Sequence, residues 1–158
     1  DPTGRTIRLS NAGLARTRGL ELSAREKPFH WLQFHQTYTF TQSVITSNPS
    51  LPATVGKRLP YVPAHMTTFE ALIARGRWTG SASGRYSSRV YSTDTNSDVV
   101  RGVPGGSDPF FVADLTAGYN LTRHLTLTTT VFNLLDRQYF QYYRTPGRQV
   151  LAGIRIRL

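Results

Sequence analysis

Hydrophobic positions recur at every second residue along most of this chain, and the alternation breaks only at residues with turn chemistry. Phe111, Ala113, Leu115, Ala117, Tyr119 and Leu121 fall on one face, with Asp114, Thr116, Gly118 and Asn120 on the other. Leu125, Leu127 and Val131 repeat this against Thr126, Thr128 and Thr130, as do Val150, Ala152, Ile154, Ile156 and Leu158 against Gly153, Arg155 and Arg157. The same holds upstream for Leu20, Leu22 and Ala24, for Leu32, Phe34, Tyr38 and Phe40, for Phe69, Ala71 and Ile73, and for Trp78, Gly80, Ala82, Gly84 and Tyr86. A period of two is the mark of a strand. With a short candidate at 6–10, the pattern predicts about eight strands, at 6–10, 15–25, 31–43, 66–75, 77–91, 110–121, 125–131 and 150–158.

Their connections alternate in length. Those near 26–30, 75–77 and 121–124 are short, whereas 44–65, 92–109 and 135–148 are long. Short turns on one side and long loops on the other are the signature of an outer-membrane barrel, whose strands run about ten residues at a tilt of roughly 45°. A charge facing hydrocarbon at mid-depth costs roughly 2–4 kcal/mol. Glu21, Glu70, Arg85, Asp114 and Arg155 are therefore expected to face inward, and all lie on the polar phase. Trp78 and Tyr119 are expected at periplasmic strand ends and Tyr38, Phe40 and Phe111 at outer ends, as aromatic girdles require. The count puts Trp31 on the polar phase and leaves its direction open. A soluble β-sandwich would also alternate, but it does not account for the asymmetry of the loops.

Asn133-Leu134-Leu135-Asp136-Arg137-Gln138-Tyr139, followed by Pro146-Gly147-Arg148 and a terminal strand, resembles the C-terminal signature of TonB-dependent outer-membrane receptors. Leu135 stands where that family carries an aromatic, and Leu158 where it usually ends in Phe or Trp. Over a hundred residues earlier, Arg16-Thr17-Arg18-Gly19-Leu20-Glu21 is similar to a strand motif of the same receptors. Leu59-Pro60-Tyr61-Val62-Pro63-Ala64-His65 is similar to their approach to the next strand. The resemblance implies an all-β, antiparallel up-and-down transmembrane barrel in the bacterial outer membrane, of which residues 1–158 form the C-terminal portion. It further implies a plug domain outside this chain, a link through that plug to the TonB energy-coupling system, and import of a scarce ligand such as a ferric siderophore. Plugged transporters have about 22 strands.

Composition narrows the alternatives. The formal charge of +10 comes mainly from arginine and would suggest a polyanion partner in a soluble domain. Here the basic residues sit at turns (Arg25, Lys27, Arg75, Arg77, Arg123) or alternate along strands, with no aromatic-interleaved basic groove, so nucleic acid is not expected. The absence of cysteine rules out disulfides and thiolate metal ligation. No apolar run is long enough for a spanning helix. Residues 1–5 carry no signal-peptide pattern, which suggests that the chain is a piece of a longer protein.

No catalytic constellation emerges, and neither cofactor nor metal is expected. His30, His35, His65 and His124 lack ligand spacing, and the serines lack a nucleophile elbow. Asp94, Asp98 and Asp108 could hold a divalent ion but read more simply as solvated loop charge. Candidate ligand-contacting residues are Arg85 and Arg89, on the lumenal phase of one strand, and Tyr142, Tyr143 and Arg144 in the last long loop. Aromatic faces and guanidinium groups suit an anionic iron chelate, although the aromatics of this loop also fit a structural girdle. The competing reading is a self-contained eight-stranded outer-membrane barrel with a structural or adhesive role.

Overall fold

The computed structural model describes residues 13–157. Within them the chain forms β1 (Leu14–Phe29), β2 (Leu32–Ser47), β3 (His65–Arg75), β4 (Trp78–Ser87), β5 (Phe110–Asn120), β6 (Leu125–Phe132), β7 (Phe140–Gln141), β8 (Tyr143–Arg144) and β9 (Gln149–Ile156). Seven of these make one antiparallel sheet in sequential order, β1-β2-β3-β4-β5-β6-β9, and β7 and β8 make a separate small ribbon. The expected strand at 6–10 lies outside the described residues, as does Leu158.

Three boundaries differ by several residues from the sequence expectation: β1 runs on from 25 to Phe29, and the ends of β2 and β4 move for a backbone reason. β2 runs on past residue 43 because its far end finds partners on both edges. Thr17 pairs with Ser43 on one side, and on the other Ile45 donates its N–H to Lys57 O at 2.9 Å while Leu59 N donates to Ser43 O at 3.1 Å. β4, in contrast, stops at Ser87. There Ser88 Oγ accepts from the Ala64 and His65 amides at 2.9 and 3.0 Å, and the chain leaves the sheet. Arg89 and Val90 therefore belong to a loop rather than to the strand. The short connections are 30–31, 76–77 and 121–124, and the long ones are 48–64, 88–109 and 133–148.

Residues directly opposed across a ladder share a face, so the register assigns every side chain. One face carries the row Leu22, Tyr38, Thr67, Tyr86, Phe111 and, further down, Trp78, Tyr119 and Leu127. The opposite face carries His35, Glu70, Ser83 and Asp114 in one row. Hydroxyl pairs knit this polar face together, Thr37 to Thr68 at 2.6 Å, Thr17 to Ser43 at 2.6 Å and Thr116 to Thr130 at 3.1 Å. Glu21, Arg85 and Arg155 share it, as expected.

Nothing covers the apolar face. Leu22 is 56% and Ile154 70% exposed, and the apolar residues counted as buried are Ile45, Ala64, Val112 and Tyr139. A sandwich would bury one whole face, and this sheet buries neither. Both ends of the apolar band carry aromatics. Trp78 and Tyr119 lie 4.7 Å apart at the short-turn end, where Phe29 stacks on Trp31 at 5.3 Å and the Arg75 guanidinium sits 5.2 Å from the Trp31 ring. Trp31 thus points to the apolar side with Phe29 and Arg75. From Trp78 to Tyr86 is about 26 Å along the strand, or about 20 Å along the membrane normal after tilt, close to the roughly 25 Å apolar band of outer-membrane barrels.

Candidate functional site

The long loops converge at one end of the sheet and are tied to each other by named bonds. Asn96, at φ +54, accepts from Arg58 N at 2.8 Å and donates to Arg58 O at 3.0 Å, joining the second long loop to the first. Tyr61 N adds a bond to Tyr91 O at 2.8 Å. The second and third loops are joined by Asp108, which is only 8% exposed. Its carboxylate accepts from Gly102 N at 3.0 Å and from Phe140 N at 3.0 Å, and its own N–H donates to Phe140 O at 2.8 Å. Gly105 and Tyr142 exchange a second set across the same seam, Gly105 N to Tyr142 O at 2.7 Å and Tyr142 N to Gly106 O at 2.8 Å. Asp108 is thus not the solvated loop charge that its sequence surroundings suggest. It is instead the buried fastener of this rim, and its position beside Pro109 at the mouth of β5 was the available signal.

The Asn133 to Arg148 motif is a clasp. Asn133, buried at φ +49, donates its backbone N–H to Asp114 Oδ1 at 2.8 Å and its amide Nδ2 to the Arg137 and Pro146 carbonyls at 2.9 and 3.2 Å. Its Oδ1 accepts from Arg137 N at 2.8 Å, and Leu134 N donates to Ala113 O at 2.7 Å. Asp136 Oδ1 accepts from Arg148 N at 2.8 Å, and a Cβ on Gly147 would come 2.8 Å from that same oxygen. A side chain at 147 would therefore have to displace that carboxylate. Tyr139 is buried against Phe110, with ring centroids 4.4 Å apart. Phe110 and Val112 lie on the polar face, so the loop leans inward over the lumenal side of β5.

The structure separates the proposed ligand residues. Tyr142 and Tyr143 stand at the tip of the β7–β8 ribbon, 57% and 75% exposed, edge to face at 4.9 Å. Arg144 is beside them and donates to Gln138 Oε1 at 2.6 Å. Arg85 is an exposed lumenal residue opposite Thr68 and Val112. Arg89, expected on the same strand, is in the second long loop, where its guanidinium donates to Val99 O at 2.6 Å and braces that loop.

Asp98 accepts from Ser92 N at 2.7 Å, from Ser92 Oγ at 3.0 Å and from Thr93 Oγ1 at 2.8 Å. Burial acts to raise its pKa, but these hydrogen bonds to the charged form outweigh it and hold the carboxyl below its ordinary 3.8. Among the described residues, no three His, Asp or Glu side chains gather where a metal ion could be held. At the short-turn end the lumenal face forms a concavity of about 660 Å³ in which Arg77, Arg123, Arg155 and Arg157 converge. The sequence placed these arginines on turns and strands separately, and the register brings them together.

An open sequential antiparallel sheet with one uncovered apolar face between two aromatic belts, one polar face and long loops gathered at one end is a piece of transmembrane β-barrel wall. The comparisons agree. A family model described as TonB dependent receptor-like, beta-barrel matches residues 1–134, and the chain belongs to that family. Its setting is the bacterial outer membrane, with the short turns on the periplasmic side.

The chain is 28% identical over 145 residues, 91% of its length, to the catecholate siderophore receptor Fiu of Escherichia coli K12. It is 26% identical to the probable TonB-dependent receptor BfrD of Bordetella pertussis, over 92% of this chain and 21% of that protein. It spans about a fifth of the length of these relatives, 19% in the case of Fiu. Among solved structures, the ferric yersiniabactin uptake receptor FyuA of Yersinia pestis superposes with a TM-score of 0.78 at 21% identity, covering 94% of this chain and 24% of that one. The siderophore receptor PiuA of Acinetobacter baumannii gives 0.77 at 21% identity, over 90% and 22%.

Proposed function

We propose that this chain is the C-terminal portion of the barrel of a TonB-dependent receptor that imports a ferric siderophore. The observation that carries the proposal is the clasped outer rim. Asp108, Asn96 and the Asn133 clasp hold three loops as one layer, and that layer leans over the lumenal side while presenting Tyr142 and Tyr143 to solvent. Two exposed aromatic faces beside Arg144, with Arg85 on the wall below, offer stacking and positive charge to an anionic aromatic chelate. The similarity to a catecholate receptor points the same way. Arg89 is held by Val99 and supports the loop rather than the ligand.

In this reading the protein acts as a transporter and not as an enzyme. A plug and a TonB-contacting segment elsewhere in the polypeptide supply gating and energy, and the present chain supplies wall, lumen lining and outer loops. Among the described residues β1 and β9 do not pair with each other, which disfavours a self-contained barrel. The test is growth of a receptor-deficient strain on a ferric catecholate as sole iron source, complemented by the full-length receptor. Growth with the wild type, and weaker growth with Tyr142→Ala/Tyr143→Ala or Arg85→Glu, is expected. Equal growth of all strains would refute the assignment of these residues.

A further inference from the structure

Charged residues on the outward phase stand at its two ends, Glu26 and Arg75 by the short turns and Arg16 and Arg18 by the long loops. Arg16 and Arg18 continue the phase of Leu20 and Leu22 on β1, so they point outward toward lipid and not into the lumen. The register confirms it, because Thr17 between them bonds to Ser43 on the polar face. A third joins them, since Arg58 bridges Val44, which itself faces Arg16, placing Arg16, Val44 and Arg58 in one outward row. Arg18 faces Gln42 in the row below, and beneath that come Leu20, Phe40 and His65. Strand geometry puts Arg16 and Arg18 about 7 Å apart and Arg58 about 10 Å across from Arg16.

The depth of this triad explains why it is tolerated. It lies at the loop end of the sheet, above the outer belt of Tyr38, Phe40, Tyr86 and Phe111, where the penalty for an outward arginine falls to about 0–1 kcal/mol. No carboxylate stands on the outward phase of β1 or β2 until Glu26, at the far end of the wall. Three guanidinium groups so close, with no carboxylate beside them on the described outward phase of β1 and β2, repel one another unless an anion enters between them. Arginine forks match phosphate oxygens bidentately, and the outer leaflet presents phosphates at this level.

We propose that Arg16, Arg18 and Arg58 form an outward-facing site for the phosphorylated sugar headgroup of an outer-leaflet glycolipid, whose acyl chains lie along Leu20, Phe40 and Leu22. The proposal rests on the sheet being an outer-membrane wall with periplasmic short turns, and not on which chelate is imported.

The test uses the purified full-length receptor and native mass spectrometry, with bis-phosphorylated lipid A, the same lipid with its phosphates removed, and inorganic phosphate as probes. Wild type is expected to retain the phosphorylated lipid and release the dephosphorylated form. Arg16→Ser/Arg18→Ser/Arg58→Ser is expected to lose affinity by roughly a hundredfold, at about a factor of five per arginine. Retention of both lipids by the wild type, displacement by inorganic phosphate alone, or unchanged affinity of a folded triple variant would each overturn the site. The wild-type comparison decides the matter even where the triple variant fails to assemble. Growth on the ferric catecholate is scored separately, so failure of import in the wild type counts against the transport reading and leaves the lipid result standing.

Discussion

Asp108→Ala should detach the last outer loop from the one before it. The carboxylate is nearly buried and receives two backbone donors, Gly102 N and Phe140 N, each at 3.0 Å. A hydrogen bond to a charged group is worth about 1.5–3 kcal/mol, and a buried donor left without a partner costs about 1–3 kcal/mol. Two such donors bound the loss at about 2–6 kcal/mol, and water reaching the rim brings it to the lower half of that range. About 3 kcal/mol of local stability corresponds to roughly a hundredfold faster amide exchange at Gly102 and Phe140, since 1.36 kcal/mol is a factor of ten.

Hydrogen exchange on the full-length receptor reads this directly. Asp108→Asn keeps one acceptor oxygen and should fall between the two. Asp98→Ala provides the internal control, because Asp98 bonds only to Ser92 and Thr93 within its own loop. It should loosen residues 92–98 and leave Phe140 protected. Wild-type exchange at both Gly102 and Phe140 in the Asp108→Ala protein would refute the fastener.

Gly147→Ala should push Asp136 off the Arg148 amide and cost about 1–3 kcal/mol, seen as a lowered unfolding temperature of the purified barrel. Leu115→Arg, on the outward face between Ala82 and Val131, should cost about 2–4 kcal/mol and reduce assembly in heat-modifiability gels, whereas lumenal Ser81→Arg should cost less than about 1 kcal/mol. Equal effects of the two would invalidate the assignment of faces. For Asp98, the folded pKa is depressed, so its contribution to loop order is complete above 3.8 and is lost as pH falls through the lower folded value. Ser92 amide exchange, corrected for its intrinsic pH dependence, should be flat from pH 7 to 5 and rise only below 3.8. A rise near neutrality would contradict that sign.

The faces were legible because alternation is a property of each strand by itself. Glu21, Glu70, Arg85, Asp114 and Arg155 all fell where the period of two put them. What the period could not carry was anything decided between strands. β2 extends to Ser47 because β1 pairs with it that far and residues 57–59 return to bond its other edge at Ser43 and Ile45, and nothing local in Val44-Ile45-Thr46 announces the second partner. Arg89 alternates correctly with Val90, yet β4 has already ended, because Ser88 spends its hydroxyl on Ala64 and His65. The outward direction of Arg16 and Arg18 is legible from Leu20 and Leu22, whose phase they continue, but their closeness to Arg58 depends on a partner that only the fold supplies.

The same register also decides where the stability of this wall originates. A soluble domain of this size would be held by one dry core, and here Ile45, Ala64, Val112 and Tyr139 are the apolar residues that count as buried. Tyr139 belongs to the last loop and Ala64 to the first, while Val112 and Ile45 are the strand residues at that same end, so even these secure the rim rather than the middle of the strands. The strands are held by their backbone ladders, which lose nothing in hydrocarbon because no water competes there. Apolar side chains such as Leu22 and Ile154 gain their burial from lipid. The consequence is a division of labour along each strand, in which the membrane stabilises the middle while polar clasps stabilise the outer end. Substitutions in the clasps should therefore disturb the loops without unseating the wall, and substitutions on the apolar face should do the reverse.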